Sequence, residues 1–228
     1  MTPLVLVPGM MCDARMWGAI PSALAPRAVH HALPTGAGTI PAIAAALLRD
    51  LPERFALAGL SMGGIVAMEM LAQAPGRIER LALLDTNPLA EVPEVRARRL
   101  PQVNRVLVGG LDAVMQDEMM PHYLADPSDR ETLALCLDMA RGLGAEVFRR
   151  QSLALRDRAD RTGALRAYQG PALVLTGESD RLCPRDRHDL MHRLMPHSRL
   201  VIVPGAGHLP PLEQPAATLA ALKEWLET

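Results

Sequence analysis

The chain has no long apolar stretch: among its 228 residues no uninterrupted run approaches the ~18 residues that a membrane-spanning helix needs. It also lacks any run of five like charges, and its formal net charge is -1. A nucleic-acid or anionic-membrane surface depends on clustered Lys and Arg, so neither is expected. Cysteine is scarce as well, since Cys12, Cys136 and Cys183 are far apart, odd in number and in no C-x-x-C spacing. That pattern excludes a zinc set and a secreted disulfide scaffold, and leaves buried free thiols as the expectation. Internal repeats and low-complexity linkers are absent too. The opening "MTPLVLVPGM" has no basic leader ahead of its short apolar run and no small-residue cleavage site, so a cytoplasmic protein is expected.

What is present is alternation. Short apolar runs at residues 3 to 8, 28 to 34, 54 to 60, 78 to 85, 171 to 177 and 198 to 205 alternate with stretches of helical period. Near-continuous apolar strands argue for a parallel sheet covered on both faces. The intervening "TIPAIAAALLRDL", "MGGIVAMEMLAQA", "PRDRHDLMHRLM" and "QPAATLAALKEWLE" carry apolar residues at helical spacing, some opening on proline or a capping residue. The expectation is an α/β sandwich with a mostly parallel sheet of about six strands.

Between Leu89 and Leu165 the rhythm changes, because four segments in succession read as helix with no strand between them. A core of residues 1 to 88 and 166 to 228 with a helical lid at 89 to 165 is expected. From Leu89 to Arg166 twelve arginines balance twelve acidic residues, as on the solvated outer faces of amphipathic helices.

One serine in this pattern has the setting of a nucleophile. In "FALAGLSMGGIVAMEM" Ser61 sits between a strand and a helix, with Gly59 and Gly63 two residues to either side. A serine lifted clear of a sheet on so sharp a turn crowds those two positions, and glycine relieves the crowding. The following helix would aim N–H groups and its positive end at the serine, making the Met62 N–H a first oxyanion donor. A serine hydroxyl needs a histidine base oriented by a carboxylate. Of the seven histidines, His208 is best placed, in the loop "PGAGHLPPLEQP" after the last strand. Loops following the strands of an open parallel sheet share one edge. His30 and His31 belong to a strand, His122 to the lid, and His188, His192 and His197 to a polar helix or its exit, where solvation is expected. For the carboxylate Asp180 leads, Asp85 in "LALLDTNP" is its rival and Glu178 a third choice. The loop after the first strand, "LVPGMMCDARMW", supplies Gly9 for close approach and Met10 or Met11 for a second N–H donor, with Met10 the better placed.

With "PGMMCDARMW", "GLSMGG", "GESDRLCP" and "GAGHLPPLEQP" in this order, the chain resembles the α/β-hydrolase superfamily, in particular its small esterase-like members with a helical lid. The resemblance implies an α/β-hydrolase fold and a catalytic triad of Ser61, His208 and Asp180, with Met10 and Met62 backbone N–H groups as the oxyanion hole. Two departures stand out: Pro8-Gly9 replaces the usual His-Gly, and the antiparallel strands that often open the fold are missing.

These readings make the expected function that of a serine hydrolase cleaving carboxylic esters of small or medium apolar acyl groups through an acyl-enzyme intermediate, with no cofactor or metal and a small-molecule ester as partner. Met11, Met119, Met120, His122 and Tyr123 are the candidate substrate-binding residues, on the view that methionines around the hole and in "VMQDEMMPHYL" shape a flexible apolar acyl pocket. The same triad could cleave a carbon–carbon bond, transfer an acyl group or make peracids. A serine at position 61 argues against the aspartate-nucleophile dehalogenases and epoxide hydrolases of the fold. A non-catalytic receptor for a small ligand is the alternative from another class.

Overall fold

All six apolar runs form strands in the computed structural model, which describes residues 1–228. They are β1 (Leu4–Val7), β2 (Val29–His31), β3 (Phe55–Leu60), β4 (Ile78–Leu84), β5 (Ala172–Gly177) and β6 (Arg199–Val203). The sheet order is β2-β1-β3-β4-β5-β6 and every pairing is parallel. Burial follows position: every residue of β1, β3 and β5 is buried, whereas the edge strands β2 and β6 are largely half-exposed. That is why "VHH" can tolerate two histidines while the central strands read as unbroken apolar sequence.

In chain order the helices are α1 (Ile20–Ala23), α2 (Ile40–Asp50), α3 (Met62–Gln73), α4 (Pro93–Arg105), α5 (Leu111–Val114), α6 (Arg130–Arg156), α7 (Thr162–Ala167), α8 (Arg185–Leu194), α9 (Pro210–Glu213) and α10 (Pro215–Glu227). α2 opens on Thr39, whose hydroxyl accepts from the Ala42 N–H, and α6 opens on Asp129, which accepts from Thr132. α3 packs on β1, β3 and β4 and against α2 and α7, so nearly its whole circumference is buried. This explains its all-round apolar sequence. α8 lies on β5 and β6, while α10 crosses β4, β5 and β6 and meets α1. α2, α3, α7 and α8 pack in series against one another, and α1 packs with α10.

The segment expected as a lid contains α4, α5 and α6. A five-residue π-type segment, Val106–Gly110, bends the chain after α4, with Gly109 at φ 97°. Within α6 Gly144 has φ 80° and ψ 174°, at the point where the sequence reads as the end of one helix and the start of another. One apolar cluster of 62 buried residues runs from the sheet into the lid through Val103, Val114, Leu137 and Phe148, so the lid shares the core rather than forming a separate one. α7, which straddles the expected lid boundary at residue 165, packs on α3 and α8. Just ahead of it the Arg161 Nε donates to Glu69 Oε2 of α3 at 2.6 Å.

Candidate active site

β3 passes into α3 through a single residue. Ser61 stands there at φ 55° and ψ -119°, a left-handed conformation that strains any residue with a Cβ. A Cβ on Gly59 would overlap the Gly63 carbonyl, and one on Gly63 would overlap the Val7 carbonyl. Glycine at both places is therefore a packing requirement. Surrounding bonds hold the strained residue: the Ser61 N–H donates to Leu84 O at 2.9 Å, and its carbonyl accepts from Thr86 Oγ1 at 2.7 Å and from the Gly64 N–H at 3.0 Å. The N-terminus of α3 faces the same turn, which favours negative charge beside the serine.

The loop after β6 brings His208 to Ser61. Its Nε2 lies 2.8 Å from Ser61 Oγ, and its Nδ1 lies 3.0 Å from each Asp180 carboxylate oxygen. A carboxylate on Nδ1 keeps the proton there, leaving Nε2 free to accept from the serine hydroxyl. Asp180 Oδ1 also accepts from the Leu182 and Cys183 N–H groups, at 2.8 and 3.1 Å. Burial pulls the Asp180 carboxyl up, but the charge and hydrogen bond of His208, with those two N–H groups, hold it below its ordinary value. The side chains are 5% exposed for His208 and 1% for Asp180, so the pair operates in a desolvated setting.

Asp85, the rival acid, is fully buried at the end of β4 and accepts from the Gly177 N–H at 2.8 Å. His208 makes its carboxylate contacts with Asp180 alone. Burial, with the charge of Asp180 second, pushes the Asp85 carboxyl well up. Glu178 is exposed.

On the other side of the serine the Gly9 loop passes so close that a Cβ on Gly9 would stand 3.4 Å from Ser61 Cβ. Met11 has φ 56° and gives its N–H to Gln151 Oε1 of α6 at 2.9 Å. That leaves the N–H groups of Met10 and Met62 as the candidate oxyanion donors, and both residues line the cavity above Ser61.

Glu213 holds the histidine loop. Its two carboxylate oxygens accept from the N–H groups of Gly207 and Leu209, either side of His208, at 2.9 Å, and from Ala125 of the lid at 2.7 Å. The His208 N–H itself donates to Tyr123 O at 2.6 Å. Lid and histidine loop are thus one hydrogen-bonded unit.

The cavity over Ser61 is about 490 Å³, within the range of small-molecule sites. Val92, Val95, Met119, His122 and Tyr123 reach it from the lid. Of the expected substrate-binding residues, Met119, His122 and Tyr123 are therefore brought to it. Met11 is fully buried against the lid, and Met120 faces a separate groove with Leu124 and Leu137. Along a helical segment, packing rather than residue type decides which methionine turns inward.

The cavity is also less apolar than its methionines suggest. Arg99 and Arg158 line it, both bound to Glu91 at 2.8 Å. These three residues and Gln151 lacked a role in the sequence because no motif connects them, whereas Glu213 is the glutamate that follows His208 in "GAGHLPPLEQP". His188, expected in solvent, is fully buried and accepts from the Thr86 N–H through Nε2 at 3.2 Å. It shares its buried stripe with Met191, three residues on, a helical spacing that points it inward. Asp180, Cys183 and His208 place three possible ligand atoms within 4.8 Å of one another. Burial pushes the Cys183 thiol well up, with Asp180 adding to it.

Residues 4–222 match the model of the "Alpha/beta hydrolase family". The chain belongs to the alpha/beta hydrolase family. Within it, the chain is 26% identical over 239 residues to a pimeloyl-[acyl-carrier protein] methyl ester esterase of Salmonella agona (strain SL483), covering 96% of this chain and 91% of that one. It is similar in structure to a thermophilic esterase from Thermogutta terrifontis solved with malate bound, at 31% identity and a TM-score of 0.90, over 100% of this chain and 90% of that one. The enol-lactonase from Burkholderia xenovorans LB400 superposes with a TM-score of 0.87 at 25% identity, over 100% and 92% of the two chains. The all-parallel six-stranded sheet with helices on both faces is this alpha/beta hydrolase's version of the family fold. None of its helices is long and apolar enough to cross a membrane.

Proposed function

We propose that the protein is a serine hydrolase acting on carboxylic esters of small or medium acyl groups. One observation carries the reading: an unbroken hydrogen-bonded line from Ser61 Oγ through His208 to Asp180, with contacts of 2.8 and 3.0 Å. The names of the relatives, a methyl ester esterase, an esterase and an enol-lactonase, support an ester or lactone carbonyl as the point of attack.

Ser61 Oγ attacks the carbonyl carbon while His208 Nε2 takes its proton. Asp180 holds the imidazole in the right tautomer and stabilises the imidazolium, and the Met10 and Met62 N–H groups hold the developing oxyanion. Collapse of the intermediate breaks the acyl C–O bond, and His208 returns the proton to the leaving alkoxide. Water then attacks the acyl-enzyme with His208 as base, releasing the acid and restoring the serine hydroxyl. The acyl chain lies against Val92, Val95 and Met119.

The test is hydrolysis of p-nitrophenyl esters from acetate to laurate by the wild type and by Ser61→Ala. Loss of the nucleophile is expected to lower kcat by up to ~10⁶-fold with the thermal unfolding curve preserved. Turnover retained by a folded Ser61→Ala enzyme would remove Ser61 from the mechanism.

A further inference from the structure

The wall of the cavity carries a buried charge imbalance. Glu91, whose side chain is 5% exposed, receives Arg99 (13% exposed) on one carboxylate oxygen and Arg158 (7% exposed) on the other, each at 2.8 Å. Two guanidinium groups share one carboxylate, so the cluster holds one net positive charge out of water. An uncompensated buried charge is unfavourable, and an anion that arrives with a ligand relieves it.

The donors left over identify where that anion would sit. Arg99 Nε and Nη2 are both on Glu91 Oε2, whereas Nη1 reaches only the thioether sulfur of Met10, at 3.6 Å. A thioether is a weak acceptor, and Met10 belongs to the loop beside Ser61. Arg158 uses Nε on Leu89 O at 2.9 Å and Nη1 on Glu91. Its Nη2 donors remain. Arg98 and Arg181, both exposed, stand on the same cavity without a carboxylate of their own. The one acid of the lid wall besides Glu91, Glu118, is occupied by Arg105 and by Gln102 Nε2 at 2.9 Å. Apart from the Asp180 carboxylate, which His208 and the Leu182 and Cys183 N–H groups take up, the charges left unmatched around this cavity are positive.

We infer that the substrate is an anionic ester: a half-ester of a dicarboxylic acid, or an acidic lactone, whose non-reacting carboxylate is bound by Arg99 and Arg158 while its ester carbonyl meets Ser61. A single carboxylate matches the single excess charge of the Arg99–Glu91–Arg158 cluster, and a guanidinium presents paired N–H donors to it. Arg98 and Arg181 draw the anion toward the mouth of the cavity, an effect that salt screens. The apolar residues between the arginines and the serine then serve the methylene chain rather than a purely hydrocarbon acyl group. This inference rests on the hydrolase reading for its chemistry, and its test separates the two.

The experiment compares monomethyl esters of succinic, glutaric, adipic and suberic acids with the methyl esters of the matching monocarboxylic acids. The readout is the ratio of kcat/KM for each charged and neutral pair, in the wild type, Arg99→Gln, the Arg98→Gln/Arg181→Gln double variant and, as a remote control, Arg49→Gln. The wild type is expected to prefer the half-ester at least tenfold at its best chain length. Arg99→Gln should lower that ratio roughly ten- to a hundredfold, mainly through KM. The double variant should lower it several-fold at low salt and little at high salt, and Arg49→Gln should keep it. A wild-type enzyme that treats both members of each pair alike, or loses turnover of both equally in Arg99→Gln, overturns the inference and leaves the hydrolase reading standing. If neither ester type nor p-nitrophenyl butyrate is cleaved, the hydrolase reading falls and calorimetry with adipate decides the site. Saturable binding that weakens at least tenfold in Arg99→Gln upholds the anion site, and no binding by the wild type, or binding that Arg99→Gln leaves unchanged, overturns it.

Discussion

Lowering the pH should weaken the fold through His188, a residue outside the hydrogen-bonded line at Ser61. Burial brings its imidazole from the ordinary 6.5 down to about 4, against the opposing pull of Asp180 and of the Pro184 carbonyl, with His208 and Arg185 adding to the lowering. Above pH 6.5 the ring is neutral in both folded and unfolded chains. Between 6.5 and 4 the unfolded chain binds a proton that the folded one refuses, so stability is lost as the pH falls through that window. The gap of about 2.5 in pKa corresponds to about 3 kcal/mol in full, of which about 2 kcal/mol is gone on passing from pH 7 to pH 5. The loss also has a local path, because His188 Nε2 accepts from the Thr86 N–H and Thr86 Oγ1 holds the Ser61 carbonyl. Protonation turns that acceptor into a donor facing a donor. Urea denaturation of the wild type and of His188→Gln at pH 7 and pH 5 measures the effect, since the difference between the two proteins cancels the other titrating groups. The variant, which can still accept from Thr86, should lose about 2 kcal/mol less over the interval. An equal loss in both would show that His188 is already charged in the folded protein and refute the reasoning.

Asp85 has the opposite sign: its folded carboxyl is raised, so the folded chain keeps a proton that the unfolded chain has released, and stability falls as pH rises above the usual carboxylate range. Asp85→Asn retains the oxygen that accepts from Gly177 and removes that decline, so its urea midpoint at pH 7 should exceed that of the wild type. A lower midpoint would mean that Asp85 is ionised and paired. Glu213→Gln replaces an oxygen receiving N–H groups from the His208 loop and the lid with an NH2 that opposes them. A loss of about 1–3 kcal/mol in urea titration is expected, with a fall in kcat larger than any rise in KM. Unchanged stability and kcat would remove Glu213 from the positioning of His208.

Much of the fold was legible because the central strands have no exposed face. β1, β3 and β5 are buried throughout, and such strands can only be written as unbroken apolar runs. The site was legible for a related reason. In an open parallel sheet the loops following the strands meet at one edge, so a serine after β3, an aspartate after β5 and a histidine after β6 could be assigned to one place from order alone. Asp85 was the ambiguous case since it satisfies the same positional rule. What separates it from Asp180 is a backbone N–H: Gly177 takes the Asp85 carboxyl, and nothing in the letters "LALLDTNP" records that.

The lid was less legible, since helical period tells that a segment is amphipathic but not which neighbour its buried stripe meets. Met11 and Met120 carry the same side chain as Met10 and Met119, and yet one pair lines the cavity and the other does not. The charges mislead in a more consequential way. Twelve arginines against twelve acidic residues between Leu89 and Arg166 reads as a neutral, solvated surface. Several of these charges do pair on the outside, as Arg141 does with Asp112 and Arg149 with Glu146. Balance over a sequence does not require balance at a point. Because Glu91 meets two arginines, 8 and 67 residues further along the chain, the compensating acid lies elsewhere and the cavity is left with the surplus. In the anion site inferred above, the choice between a hydrocarbon and an anionic acyl group turns on three buried side chains, residues that composition makes easiest to dismiss, rather than on the methionines around them.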